Sequence, residues 1–558
     1  MSVGVQNKSM KLKSTLIVIF LFLGINTAVA GEDEQWPIPN DYQEGHHSIL
    51  IEDGQEFEDQ FSLLTGTDDV NSFICTGIQD SKCSSANKFR FNSLLSFCDN
   101  QSKINCIESF EAINENGNAE FANFIKYSQP NHPNKYAGSK EKNIPEPESP
   151  GIWSFAGTPH GFGNQYGLTV GINGGYTKNA NSAYWDSFYV NLHAVSLKNG
   201  NGKLTDVNGF ENFPKCIQLT DSNWSHLSCG SGAEEYGKYR CAFKSTENND
   251  CYLDHALPKN VTFRVILRLS KEPNGWLHGR VFDPSISITK NDQVIKMSLS
   301  GRAADVPTYY TGGQYSDLSK PLKDFWDKCL PSGQCPAGTR IIWSNPANNP
   351  NGYTRNVTYR PKPYGDLVMK QFTELLPLTN DQSVAIPTRW SIRTLLSSEM
   401  ANANGCFTKG TGIKGIVSTN ATVYSEGPPE YSGDNLQYKV AAPHLRPDNS
   451  EFRGSYNLVM RSDVARCIYG FSSAPIKATI QVVNEAGVNS IATTTISEKN
   501  NWLSLSAYNF TFSNPTVKVK LSQERNTLSS IICIKGKLVK KISGNNPKCP
   551  TGYKLKVS

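Results

Sequence analysis

Short catalytic signatures are missing from this 558-residue chain. There is no G-x-S-x-G elbow, no H-E-x-x-H and no G-x-x-x-x-G-K-[ST], so the local handles of esterases, zincins and P-loop enzymes are absent. None of the 14 cysteines stands in a C-x-x-C pair, which removes the usual spacing of structural zinc and of thioredoxin-like redox centres. Past the first thirty residues no stretch reaches the roughly 18 apolar residues of a membrane-spanning helix. Net charge is also scarce. The chain carries 55 basic and 50 acidic residues, and without Lys8, Lys11 and Lys13 the balance is 52 to 50. A balance of +2 argues against a nucleic-acid binder. No cofactor is implied by any motif.

What is present begins with an address. Lys8, Lys11 and Lys13 precede the apolar run Leu16 to Leu23, and Ala28 and Ala30 form the A-x-A pattern of a cleavage site. Residues 1–30 are expected to be a signal peptide, with the mature chain beginning at Gly31. Met10 is itself an ordinary start, so the first nine residues read as an extended beginning. The product is expected to be secreted, extracellular or associated with the cell envelope, with no transmembrane segment in the mature chain.

An even number of cysteines in an exported chain reads as a disulfide framework. Two local sets stand out: Cys75, Cys83, Cys98 and Cys106, then Cys216, Cys229, Cys241 and Cys251. Each allows three connectivities, which the sequence leaves open. Once both sets close internally, the nearest remaining partners are Cys329 with Cys335, Cys406 with Cys467, and Cys533 with Cys549.

Alternation of apolar and polar residues dominates the readable segments. Val261, Phe263, Val265, Leu267 and Leu269 share one face of a strand whose other face carries Thr262, Arg264 and Arg268. Asp186 to Leu197 alternates in the same way. Ile476 to Val483 and Val488 to Ile496 flank Asn484-Glu-Ala-Gly487 and predict a hairpin. A helix is predicted over Asp366 to Leu376, capped by Asp366, with Leu367, Val368, Phe372, Leu375 and Leu376 on one side and Pro377 ending it. The fold class is therefore mainly β, with several antiparallel β-sandwich-like domains stapled by disulfides and little helix. The expected divisions are an N-terminal cysteine-containing region (31–138), a proline-rich linker or surface loop (139–150), a central β domain (151–362), a C-terminal β-sandwich (363–523) and a basic disulfide hairpin tail (524–558).

That tail has the pattern Ile532-Cys-Ile-Lys-Gly-Lys537, Lys540-Lys-Ile-Ser-Gly544, then Pro547-Lys-Cys-Pro-Thr-Gly-Tyr-Lys554. It resembles an ending found on uncharacterised secreted actinobacterial proteins. Arg461-Ser-Asp-Val-Ala-Arg-Cys-Ile-Tyr-Gly-Phe471 and Trp502-Leu-Ser-Leu-Ser-Ala507 are similar to a β-rich domain preceding it in the same group. The resemblance implies export and a β-rich shell, with no assigned activity. Physically the ending reads as a small hairpin turning at Gly536 and closed by Cys533 with Cys549.

Candidate binding residues follow from residue chemistry. Trp153, Trp185 and Trp343 sit near glycine and asparagine and are candidate stacking platforms for a glycan. Residues 524–558 hold eight basic residues and one acidic one, and Lys540 and Lys541 in particular suit an anionic cell-wall polymer. Asp186 beside Trp185, and Asp283 after Trp276 and His278, are candidate acids whose ordinary role is in strand-end turns. His46-His47 near Glu44, Glu52 and Asp53, and the oxygen-rich loop 199–211, raise metal binding against the plainer readings of a solvated segment and a turn. No catalytic or metal set is assigned. The expected function is non-catalytic binding of a glycan or cell-wall polymer; the alternatives are a secreted carbohydrate-active hydrolase and a structural envelope component without a defined ligand.

Overall fold

The computed structural model describes residues 46–52, 61–132, 134–198, 241–244, 251–291, 294–332, 339–344, 354–471, 476–483, 493–512, 516–523, 529–544 and 547–556. Strands dominate, as the alternating segments require, and helix is sparse. One ribbon of strands runs through the molecule in the order Ser72–Ile74, Leu63–Thr67, Lys88–Leu95, Gln165–Thr177, Tyr184–Lys198, Ser391–Thr394, Gly275–Asn291, Ile413–Thr419, Gly454–Arg461, Trp502–Phe510, Thr493–Lys499. Its neighbours are antiparallel except at Gly275–Asn291 and Ile413–Thr419, which are parallel.

Two sheets pack on this ribbon. The first is ordered Ala119–Phe121, Cys106–Ile113, Thr262–Leu269, Val294–Asp305 and the far end of Gly275–Asn291. Phe263, Val265, Leu267 and Leu269 are fully buried from Thr262–Leu269, where they meet Phe91, Phe110, Tyr166 and Leu299. Each such side chain contributes about 1.5–3 kcal/mol of burial. The second sheet, Val423–Tyr424, Asn435–Ala441, Thr516–Gln523 and Ile476–Val483, covers the other half of the ribbon. Tyr438, Leu458, Leu503, Leu505, Val517 and Val519 form that core. The long strand Gly275–Asn291 belongs to both layers. Its residues 277–280 pair within the ribbon and 285–291 pair in the first sheet, with Asp283 at φ 50° in the irregularity between.

A third unit is mixed. Tyr309–Gln314, His46–Ile51, Thr354–Tyr359 and Thr339–Ser344 form a sheet in which His46–Ile51 runs parallel to Thr354–Tyr359. The helices Lys320–Ser332 and Asp366–Leu375 supply Leu322, Trp326, Val368 and Phe372 to its core. Gly365, at φ 104°, takes the cap position predicted for Asp366. Asp366 is instead the first helical residue and pairs with Lys439 Nζ at 3.0 Å. Leu367, expected on the buried side, is 50% exposed because it points away from Val368 and Phe372.

Strand pairs cross the expected divisions. Lys88–Leu95 pairs with Gln165–Thr177, and Tyr184–Lys198 pairs with Ser391–Thr394, so the three regions 31–138, 151–362 and 363–523 share sheets. The 139–150 stretch is part of the body, since Pro147–Glu148 pairs with Leu94 and Leu95 and Ile144 is buried. The expected hairpin near 484–487 is also corrected. Ile476–Val483 pairs with Thr516–Gln523, whereas Thr493–Lys499 pairs with Trp502–Phe510, so the two strands lie in opposing sheets.

Four bridges hold these elements. Cys75 is bonded to Cys83 and Cys98 to Cys106, so the first set closes internally. Cys406 is bonded to Cys467 and Cys533 to Cys549. Cys216, Cys229 and Cys335, and the side chains of Cys241, Cys251 and Cys329, lie outside the described residues.

Candidate functional site

The tryptophans proposed as platforms do not present their rings. Trp153 is 1% exposed on Gly151–Ser154, ringed edge-on by Phe97, Phe110 and Phe124 at 5.1–6.1 Å. Trp185 is 8% exposed and donates its indole N–H to the Asn143 carbonyl at 3.1 Å. Both are core residues, because alternation turned them inward on paired strands. The Trp343 side chain lies outside the described residues.

The candidate acids are already paired. Asp186 meets Arg90 at 2.5 Å. Asp283 holds Arg302 at 2.5 Å and accepts from the Tyr508 hydroxyl, linking the long strand to Trp502–Phe510. Burial and the Asp283 carboxylate push the Tyr508 hydroxyl up from its ordinary pKa. The His47 ring is buried in a strand with Nδ1 3.1 Å from the Gln314 carbonyl. Glu44, Asp53 and the loop 199–211 lie outside the described residues, among which no group of His, Cys, Asp and Glu is disposed to hold a metal.

Two polar clusters escaped sequence reasoning. In the first, period two along Trp276-Leu-His-Gly-Arg280 turns His278 and Arg280 to one side, toward Tyr424. The His278 ring stacks on Tyr424 at 4.2 Å, and the Arg280 guanidinium lies 4.4 Å from the same ring while donating to the carbonyls of Thr419 and Ala421. Burial, with Arg280 and Arg393 nearby, holds His278 neutral, well below its ordinary pKa. Arg393 forms two bonds to Glu399, at 2.6 and 2.8 Å, and the Leu396 N–H donates to the same carboxylate at 2.7 Å. The His278 and Arg280 contacts with Tyr424 pin the ribbon to the second sheet, and the Arg393–Glu399 pair, six residues apart, sits beside that pin.

The second cluster lies where Tyr184–Lys198 pairs with Cys251–His255. Ser196 Oγ is 2.7 Å from His255 Nε2, the spacing of a nucleophile and base. Strand alternation turns Asp254 to the opposite face, where it bonds His193 Nδ1 at 3.1 Å, so these residues do not assemble a Ser-His-Asp triad. Phe162 stacks on His255 at 4.2 Å and His160 lies 5.6 Å from it.

The C-terminal residues build a different surface. Ser529–Lys535 and Leu538–Gly544 form a hairpin whose two-residue loop starts with Gly536 at φ 59°. Lys554–Leu555 adds a third strand, and the Cys533–Cys549 bond ties the returning chain to the hairpin. This sheet pairs within itself. Lys535, Lys540, Lys541 and Lys554 are exposed on its strands, and Lys537 in the turn, Lys548 in the returning segment and Lys556 just beyond Lys554–Leu555 are exposed beside them. Lys540 lies 5.2 Å from the Tyr553 ring, which fixes one lysine against the covering loop. Lys540 and Lys541 therefore stand on a braced sheet, on opposite faces of one strand. What this arrangement does chemically is present a dense, oriented positive charge.

No family model matches the chain, and no match was found among curated proteins or solved structures.

Proposed function

We propose that this chain is an exported, non-catalytic binding protein that docks on polyanionic material of the cell envelope through its C-terminal sheet, with the sandwich body as scaffold. The observation that carries the reading is the set of seven exposed lysines, four on and three beside a three-stranded sheet closed by Cys533–Cys549. A braced sheet loses less conformational entropy on docking than a loose tail of equal charge. Four bridges among the described residues suit an oxidising compartment, and no described helix is long and apolar enough to cross a membrane. The resemblance of the ending to those of secreted actinobacterial proteins agrees with export. Burial of Trp153 and Trp185 moves the weight from sugar stacking to charge.

The test is pull-down of the purified mature chain on cell-wall material across a salt series. Lys540→Glu with Lys541→Glu is expected to weaken retention about tenfold or more at low salt and little at high salt, since surface charge is screened within about 10 Å at 0.1 M. Retention unchanged at every salt concentration after deletion of residues 524–558 would overturn the reading.

A further inference from the structure

The C-terminal sheet is apolar as well as basic. The described chain exposes twelve large hydrophobic side chains, and four of them, Ile532, Leu538, Val539 and Leu555, fall on this one small sheet. The two most exposed of the four, Leu538 and Val539 at 62% each, follow directly on the turn. Adjacent strand residues point to opposite faces. The hairpin tip thus carries an apolar residue on either side, with Lys535 and Lys537 before them and Lys540 and Lys541 after.

We infer that the polyanion this sheet meets is an anionic lipid bilayer, with Leu538 and Val539 entering the interface and the surrounding lysines lying at headgroup phosphates. The inference rests on the docking role proposed above and specifies its partner. A soluble polyanion neutralises the lysines but leaves Leu538 and Val539 in water. A second copy of the chain offers an apolar surface but brings another tail of +7, which repels the first. Of the three, an anionic bilayer answers both features. Lysine stems lie along the apolar boundary while their ammonium groups stay in water, so the tip enters without burying charge.

The mature full-length chain is tested by flotation with phosphatidylglycerol vesicles, with phosphatidylcholine vesicles, and by binding to soluble polyphosphate. The expected pattern is binding to phosphatidylglycerol and polyphosphate, and little to phosphatidylcholine. Leu538→Asn with Val539→Asn is expected to weaken phosphatidylglycerol binding about tenfold or more and to leave polyphosphate binding within about twofold. Val539→Phe, which loosening cannot mimic, is expected to tighten vesicle binding alone. Parent binding to polyphosphate without binding to phosphatidylglycerol, or apolar variants that match the parent on vesicles, would sink the lipid inference and leave the docking role standing. An Asn pair that weakens both ligands equally, or a Val539→Phe chain no tighter on vesicles, counts against it too. A parent that binds neither ligand removes the docking role itself.

Discussion

In the sandwich body the strands are held by what they bury, and in the C-terminal sheet by what they are bonded to. The body's second core brings Tyr438, Leu458, Leu503, Leu505, Val517 and Val519 together, all but free of solvent, and pins its layers with His278, Arg280 and Tyr424. The C-terminal sheet buries Cys533 and leaves Ile532, Leu538, Val539 and Leu555 exposed. A region with a core can lose its surface and keep its fold. A region without one keeps its shape only through the covalent tie, and its side chains remain available to a partner.

The largest effect should come from breaking the ion pair beside the body's pin. Glu399→Ala leaves the largely covered Arg393 guanidinium without its carboxylate and should cost about 3 kcal/mol of global stability. The Glu399 side chain is 1% exposed and that of Arg393 13%, so water replaces the lost carboxylate only in part. Arg393→Met combined with Glu399→Leu should recover much of the loss, because no unpaired charge then remains. Chemical denaturation of the three chains decides this. A single variant no less stable than the double would mean that Arg393 does not need this carboxylate. Vesicle binding by the folded fraction should not change in either variant, which separates the body from the docking surface.

A smaller and confined effect is expected at the tail. Cys533→Ser opens a loop that contributes about 3 kcal/mol, but only the C-terminal sheet depends on it. Hydrogen exchange should accelerate in Ser529–Lys535 and Leu538–Gly544 while the Thr262–Leu269 core strand keeps its protection. Loss of protection in both regions together would show that the sheet is coupled to the body.

The contrast also explains what could be read in advance. The tail was legible because its determinants are local: Gly536 for the turn, two cysteines sixteen residues apart, and lysines in series. The strand Thr262–Leu269 was legible because one face is uniformly apolar. Period two identifies a strand but not its partner, which is why Ile476–Val483 looked like half of a hairpin and lies in another sheet from Thr493–Lys499. The same limit hid the pairing of His46–Ile51 with Thr354–Tyr359. Trp153 and Trp185 looked like platforms because neighbouring glycines resemble loops, whereas those glycines make room for rings. A Cβ on Gly151 would lie 2.7 Å from Trp153 Nε1. The His278–Tyr424 contact depends on tertiary placement, and no spacing announces it.

The smallest effect concerns His160, near the seam of Gln165–Thr177 and Tyr184–Lys198, and it tests whether the body's burial extends to its histidines. Nδ1 accepts from the Phe162 N–H at 3.3 Å, so Nε2 carries the proton it donates to the Gln165 carbonyl at 3.0 Å. Burial lowers the His160 pKa to about 4, the backbone bonds to Gln165 and Val195 work against this shift, and the facing His255 adds to it. The folded chain therefore binds this proton less readily than the unfolded chain, whose histidine titrates near 6.5. Stability from this group is present above pH 6.5, falls as pH drops toward 4, and falls no further below that. The full shift corresponds to roughly 3 kcal/mol, and residual solvent contact reduces the expected loss to about 2 kcal/mol. His160→Gln keeps a donor for the Gln165 carbonyl and removes the titration. Subtracting its unfolding free energy from the parent's, from pH 7 to pH 4, cancels the carboxylates and the other histidines. A difference that declines across that window assigns the slope to His160, while a flat difference would mean that the ring meets enough water to charge freely in the folded state.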